Sequence, residues 1–83
     1  MVTTFPEVDA WDAERGVVTF LAVRGGKTVA CSITGRALSR RFGTGEAGSP
    51  LACFRKHRAE MEMVATRLLD AQNGSERHLS IDL

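Results

Sequence analysis

Cys53 and His57 are the residues whose types and spacing come closest to reactive chemistry. They stand four positions apart, so a helix would present both on one face. Cys31 could approach the same face from a strand, and thiols with an imidazole can bind zinc or form a thiolate pair. A structural zinc site needs four ligands, however, and the sequence has neither a C-x-x-C nor a second close histidine. We therefore interpret both cysteines as small core residues and His57 as a boundary histidine with one hydrogen bond, and we predict no metal and no cofactor.

Positive charge is concentrated in the middle of the chain. Residues 36–58 hold six arginine or lysine residues and one acidic residue, Glu46, so six minus one leaves a local balance of +5. The helix predicted after Ser49 has no acidic residue in its first turn, which leaves free N–H groups for an anion. The segment predicts binding of phosphate, nucleic acid or an acidic protein face, and the alternative is that these are solvated helix faces. The candidate binding residues are Arg40, Arg41, Arg55, Lys56 and Arg58.

Aromatic residues argue against nucleic acid as the first choice of partner. Tyrosine is absent, and we interpret Trp11 and the phenylalanines as core residues, which leaves few rings to stack on bases. No helix-turn-helix spacing is clear either. We therefore rank nucleic acid below protein as a partner.

Residues 43–48 match the pattern G-x-G-x-x-G. A dinucleotide site of this kind needs a strand before the glycines and a βαβ unit around them, whereas here a predicted helix precedes them. We interpret the stretch as a linker between helices. No paired carboxylates or Ser-His-Asp arrangement can be placed in one pocket, so we predict that the protein is not an enzyme.

Size and composition indicate one domain over residues 1–83. Hydrophobic residues make up 43% and charged residues 25%, which is ordinary for a folded soluble domain. The net charge of +1 gives no general attraction to nucleic acid or membrane. No apolar run approaches the roughly 20 residues that span a bilayer, and the N-terminus lacks the pattern of a signal peptide. We therefore expect a cytoplasmic protein with reduced cysteines and no membrane partner.

Alternation and turn residues predict three strands. Residues 16–23 are β-branched and apolar on both alternating faces, which indicates a central strand that is covered at least in part on both sides. Gly25-Gly26 is typical of a two-residue hairpin turn. Residues 28–34 predict the second strand, and residues 78–83 alternate as a third. On the second strand, one side is expected to carry Val29, Cys31 and Ile33.

Capping residues predict two helices. Thr34 caps a short helix that Gly43 terminates. Ser49 caps a long helix, Pro50 takes its first position, and Asn73-Gly74 ends it. The helical period places on one face of the long helix Leu51, Phe54, His57, Met61, Val64, Ala65 and Leu68.

These elements predict a small two-layer α+β domain in the order β-β-α-α-β. A three-stranded antiparallel or mixed sheet packs on one long helix and one short helix. Residues 1–15 are expected to be an irregular acidic segment that Phe5, Val8 and Trp11 anchor, and residues 16–83 form the core.

An ordered set of short motifs resembles a known family over residues 16–83. The family is the small stand-alone bacterial proteins with the domain of unknown function 1488. The resemblance implies a compact cytoplasmic α+β domain and carries over no catalytic residues. The motifs are Val18-x-Phe20, Cys31-Ser32-Ile33-Thr34, Ala37-Leu38 with Phe42-Gly43, Leu51-x-x-Phe54, His57-Arg58, Met61-Glu62, Ala65 and Leu68-Leu69.

The interpretation that best fits the sequence is a non-enzymatic interaction or regulatory module. A three-stranded sheet has one face left over, which either the segment Phe5–Trp11 or a partner must cover. Because the first strand is apolar on both sides, we predict a homodimer or a complex with another protein. The alternative function is binding of anionic partners through residues 36–58.

Overall fold

One mixed sheet with three helices on one of its faces makes up the described part of the protein. A computed structural model describes residues 2–43, 49–72 and 77–82. The α+β fold class is confirmed. The strands are β1 (Thr3–Thr4), β2 (Asp9–Asp12), β3 (Val17–Arg24), β4 (Lys27–Thr34) and β5 (His78–Ile81). The helices are α1 (Gly35–Phe42), α2 (Pro50–Lys56) and α3 (Arg58–Gln72).

The β3–β4 hairpin is the centre of the sheet. The two strands pair antiparallel over their whole length, from Val17 opposite Thr34 to Arg24 opposite Lys27. Gly25 and Gly26 connect them with φ angles of 59° and 74°. Two successive positive φ angles suit the right-handed twist of a hairpin and favour glycine at both positions. The predicted hairpin is therefore confirmed.

The N-terminal segment differs from its prediction, because it adds two short strands to the sheet. β1 and β2 both pair antiparallel with β3, along the edge that β4 leaves free. These strands have two and four residues, and they contain only one β-branched residue type, threonine. The sequence of such short strands carries little signal, since their backbone partners lie on β3.

The third predicted strand is confirmed, and the structure supplies its position. β5 pairs parallel with β4, with His78 opposite Ala30 and Ile81 opposite Ile33. A parallel pair requires a crossover, and α1, α2 and α3 together provide it. The sheet is therefore mixed, in the order β1-β3-β4-β5 with β2 beside β1 on the edge of β3.

Both predicted N-caps are confirmed. The Thr34 hydroxyl accepts a hydrogen bond from the Ala37 N–H at 3.0 Å, and the Ser49 hydroxyl accepts one from the Ala52 N–H at 3.1 Å. Gly43 ends α1 with a φ of 83°. Asn73-Gly74 and positions 44–48 of the glycine-rich stretch lie outside the described residues.

The single long helix of the prediction is wrong, because His57 divides it into α2 and α3. The backbone of His57 leaves the helical conformation with φ −110° and ψ 25°. Its N–H is shared between the carbonyls of Cys53 and Phe54, at 3.2 and 3.1 Å. The Met61 N–H still reaches the His57 carbonyl at 3.1 Å, so the helical period of the apolar residues continues across the break. Periodicity alone could not reveal it.

The core lies between the helices and one face of the sheet. Val18, Phe20 and Ala22 of β3 are almost fully buried there, and the predicted inward side of β4 joins them. From the helices, the buried residues of this cluster are Ala37, Leu38, Cys53, Phe54, Met61, Ala65 and Leu69. Of the predicted helix face, Leu51, Val64 and Leu68 are only partly buried against the cluster. None of the described helices is long and apolar enough to cross a membrane.

Candidate functional site

The cysteines and His57 have structural surroundings. Cys31 and Cys53 are both buried and unbridged, and burial raises the pKa of the Cys31 thiol to about 11, so this thiol stays protonated at neutral pH. His57 is partly buried, its Nδ1 lies 3.1 Å from the Cys53 carbonyl oxygen, and its ring stacks on Phe42 at 3.9 Å between centroids. The interpretation of core cysteines and a boundary histidine is confirmed. Among the described residues, no three cysteine, histidine or acidic side chains are arranged to hold a metal ion.

Four of the five candidate basic residues lie where a helix ends. Arg40 and Arg41 are in the last turn of α1, and Arg55 and Lys56 are in the last turn of α2. Positive charge at the carboxyl end of a helix interacts favourably with the helix dipole. The two helix ends therefore explain the positions of four of the six basic residues in 36–58.

Three of these arginines also bind carboxylates. Arg41 forms an ion pair with Glu60 at 3.1 Å, in an exposed position. Arg55 and Arg58 both bind Asp9, with Nη2 of Arg55 and Nη1 of Arg58 at 2.8 and 3.1 Å from the carboxylate oxygens. The structure thus brings Arg55 and Arg58 together around Asp9, while Arg41 pairs separately.

Arg58 is the centre of this network. Its Nε donates to Glu62 at 2.9 Å, as the spacing of one helical turn allows, and its Nη2 donates to the Pro6 carbonyl at 2.8 Å. Its guanidinium also lies 5.6 Å from the centre of the Phe54 ring. The network joins the break between α2 and α3 to the segment before β2. The sequence does not indicate Asp9 as a partner, because 46 and 49 positions separate it from the two arginines.

The pocket beside this network carries no net charge. It has a volume of about 300 Å³ and is lined by two acids, Glu7 and Asp9, and two bases, Arg55 and Arg58. Hydrogen bonds and charge interaction with Arg55, together with Arg58, hold the pKa of the Asp9 carboxyl below its usual value of 3.8. The carboxylate therefore stays ionised and occupies guanidinium groups that an anion would need. The binding of anionic partners by these residues stays a prediction.

The side of the sheet away from the helices is the larger candidate surface. The buried residues of all three helices belong to the cluster on the other side. Strand alternation and register define this surface, which we call the open face. Its members are Thr4, Ala10, Asp12, Val17, Thr19, Leu21, Val23, Thr28, Ala30, Ser32, Thr34, His78 and Ser80.

The open face carries almost no charge. Its apolar members are Ala10, Val17, Leu21, Val23 and Ala30, and most of its other side chains are hydroxyls of serine or threonine. Asp12 is the one acidic residue among the members, and its Oδ1 accepts hydrogen bonds from the backbone of Glu14 and Arg15. A sheet face that meets water usually carries charged and polar side chains. The depletion of charge on this face is typical of the core of a protein interface.

Two exposed valines extend the open face. Val2 and Val8 precede β1 and β2, and alternation places them on the same side as Thr4 and Ala10. They are 79% and 55% exposed. Val17 and Ser32 are the buried members of the face, and the others are partly or fully accessible.

Among the described residues, the predicted anchors Phe5 and Trp11 of the N-terminal segment do not cover this face. Phe5 packs against the core on the helix side, with its ring 6.3 Å from that of Phe20. A Cβ on Gly35 would lie 3.2 Å from the Trp11 ring and 3.3 Å from Pro50, which places Trp11 over the starts of α1 and α2. The anchoring role predicted for Phe5 is thus confirmed. Trp11 contacts the helix starts but is 39% exposed, so it is not a core residue. The role predicted for Val8 is wrong, because Val8 is mostly exposed.

Comparison with known proteins places this architecture in a family. A family model described as "Protein of unknown function (DUF1488)" matches residues 3–79. The "Uncharacterized protein YrdB" of Escherichia coli K12 is 35% identical over 74 residues, which cover 88% of this chain and 86% of that protein. The protein of the same name from Shigella flexneri matches to the same extent.

A solved structure has the same fold. It is the crystal structure of a DUF1488-family protein of unknown function from Shewanella loihica PV-4, with a TM-score of 0.78 and 21% sequence identity. The match covers 96% of this chain and 91% of the other. At this level of identity the likeness supports the fold.

Proposed function

This chain belongs to the DUF1488 family, and we propose that it is a non-enzymatic module that binds protein through the open face of its sheet. The observation that carries the proposal is the uncharged character of that face in a chain with 25% charged residues. The partner that fits has a flat surface with small apolar and hydroxyl side chains, because a charged partner would lose hydration there without gaining an ion pair.

The position of the apolar residues supports the proposal. Leu21 and Val23 lie on the central strand, where Val23 has Thr4 and Thr28 beside it and Leu21 has Ala30. Thr4, Thr19 and Thr28 flank these two residues, so small hydroxyl side chains border the apolar ones. Burial of the exposed valines Val2 and Val8 would add a favourable hydrophobic contribution.

The chemistry of the remaining residues supports a binding role over catalysis. The Cys31 thiol is buried and protonated, and His57 is engaged at the end of α2. Arg55 and Arg58 are held in ion pairs by Asp9 and Glu62. We propose the cytoplasm as the compartment, in keeping with two buried cysteines that form no disulfide.

Photo-crosslinking in the host cell tests the proposal. A photoreactive amino acid at position 21 reports on the open face, and one at position 63 is the matched control because Met63 is 58% exposed on α3. We expect position 21 to give a protein adduct of defined mass and position 63 to give none.

The nature of the adduct decides the outcome. A single protein identified by mass spectrometry at position 21, and lost when Thr28 is replaced by lysine, would support a docking surface. Equal, heterogeneous labelling from positions 21 and 63, or no adduct from position 21, would overturn the proposal.

A further inference from the structure

We infer that the partner on the open face is a second copy of this chain, which forms a face-to-face homodimer of sheets. The inference rests on the proposed function, because it names the occupant of the same surface. A second copy presents the flat, uncharged surface that the open face requires, and a symmetric pair uses one patch twice.

The area of the face is that of a weak dimer. β3 and β4 each have eight residues, which at about 3.3 Å per residue gives a length of roughly 26 Å. Four strand positions at about 4.8 Å give a width of roughly 19 Å. Because β1 with β2 and β5 supply only six and four residues, the strands fill about four fifths of this rectangle. Two such faces bury about 800 Å² together, which is the size of a weak, transient interface.

Charge at one end of the face selects the relative orientation of the copies. Asp12 lies on the open face at the end of the sheet where Val17 and Thr34 pair, and strand alternation places Asp82, the residue after β5, on the same side there. The opposite end, where Val23 pairs with Thr28, has no acidic member. A two-fold axis that lies in the interface and runs across the strands places each acidic end over the uncharged end of the other copy.

This orientation aligns the apolar residues as well. It sets β3 over β3 of the other copy in the opposite direction, so that Val17 of each copy faces Val23 of the other. Leu21 then faces Thr19 near the axis. Aligned packing of two sheets in this manner is a common arrangement in β-sandwiches.

Sedimentation velocity of the purified full chain tests the inference. An interface near the lower size limit predicts a weak dimer, with a dissociation constant in the micromolar range, on the order of 10–100 μM. We expect Leu21→Lys to raise this constant by about tenfold or more, since it places two charges near the axis. Thr28 is exposed in the monomer, so Thr28→Lys should weaken the dimer without affecting folding. Met63→Lys, on α3, should leave the dissociation constant unchanged.

The outcomes separate this inference from the proposed function. A dimer that both open-face variants weaken and Met63→Lys preserves would support it. A monomer up to about 500 μM, or a dimer that Thr28→Lys leaves intact, would overturn it. A monomer whose position 21 crosslinks to a different protein in cells overturns self-association and leaves the proposed function standing, whereas a monomer without any adduct overturns both.

Discussion

Asp9 is the residue on which two helices and the N-terminal segment converge. Its side chain is 9% exposed and binds Arg55 and Arg58. We expect Asp9→Asn to lower the free energy of unfolding by about 1 kcal/mol at pH 7, because the neutral amide cannot replace the charged acceptor. Urea denaturation measures this loss. Glu14→Gln is the control, since the Glu14 side chain has no hydrogen-bond partner among the described residues and the change should have little effect.

The pH dependence of the Asp9 contribution has a definite sign. The pKa of this carboxyl is lowered in the folded protein, so its stabilisation is complete above 3.8 and is lost as the pH falls through the folded value. The difference in stability between wild type and Asp9→Asn should therefore vanish well below pH 3.8. A difference that persists in acid would show that the asparagine acts through packing instead of charge.

His57 should stabilise the helix break through its ring. It stacks on Phe42 with an interplanar angle of 10° and lies beside the carbonyl of Cys53. We expect His57→Ala to lower the free energy of unfolding by about 1 kcal/mol, and His57→Phe to restore most of the loss because it keeps the stack. Thermal unfolding of the two variants checks this. Equal losses in both would mean that the hydrogen bond, and not the stack, is the main contribution.

At the scale of the elements, α2 depends on its cap. With seven residues, it is too short to form without support at its ends. We expect Ser49→Ala to lower the free energy of unfolding by about 1 kcal/mol, and Ser49→Asp to retain the cap. Chemical denaturation compares the two. The interpretation of Ser49 as a cap is contradicted if aspartate destabilises the protein as much as alanine.

The elements also show what the sequence could and could not predict. Caps, a turn and strand alternation are local signals, so Thr34, Ser49 and the Gly25-Gly26 turn were predicted correctly. β1 and β2 depend on pairing with β3, and the apolar period continues across the break at His57, so neither has a local signal. The sequence shows the basic cluster around residues 36–58, but the pairing of Arg55 and Arg58 with Asp9 requires the tertiary structure.

At the scale of the whole molecule, the helices cover one face of the sheet, and the open face is the proposed binding surface for a protein partner. The apolar stretch of β3 predicted coverage on both sides, and the helices cover only the side of Val18 and Phe20. Because the open face is nearly uncharged, we expect self-association to change less than about threefold between 50 mM and 500 mM salt. Binding of nucleic acid through the arginines would instead weaken steeply with salt. Sedimentation at both salt concentrations distinguishes these, and a steep loss of the dimer would contradict the proposed interface.

The most direct measurement of the central claim is hydroxyl-radical footprinting of the unaltered protein in its host cells. Oxidation of Leu21 and Val23 is compared with that in dilute purified protein, and Met63 serves as the internal reference on α3. The proposed docking surface predicts strong protection of Leu21 and Val23 in cells and equal oxidation of Met63 in both samples. Equal oxidation of Leu21 and Val23 in both samples would contradict it.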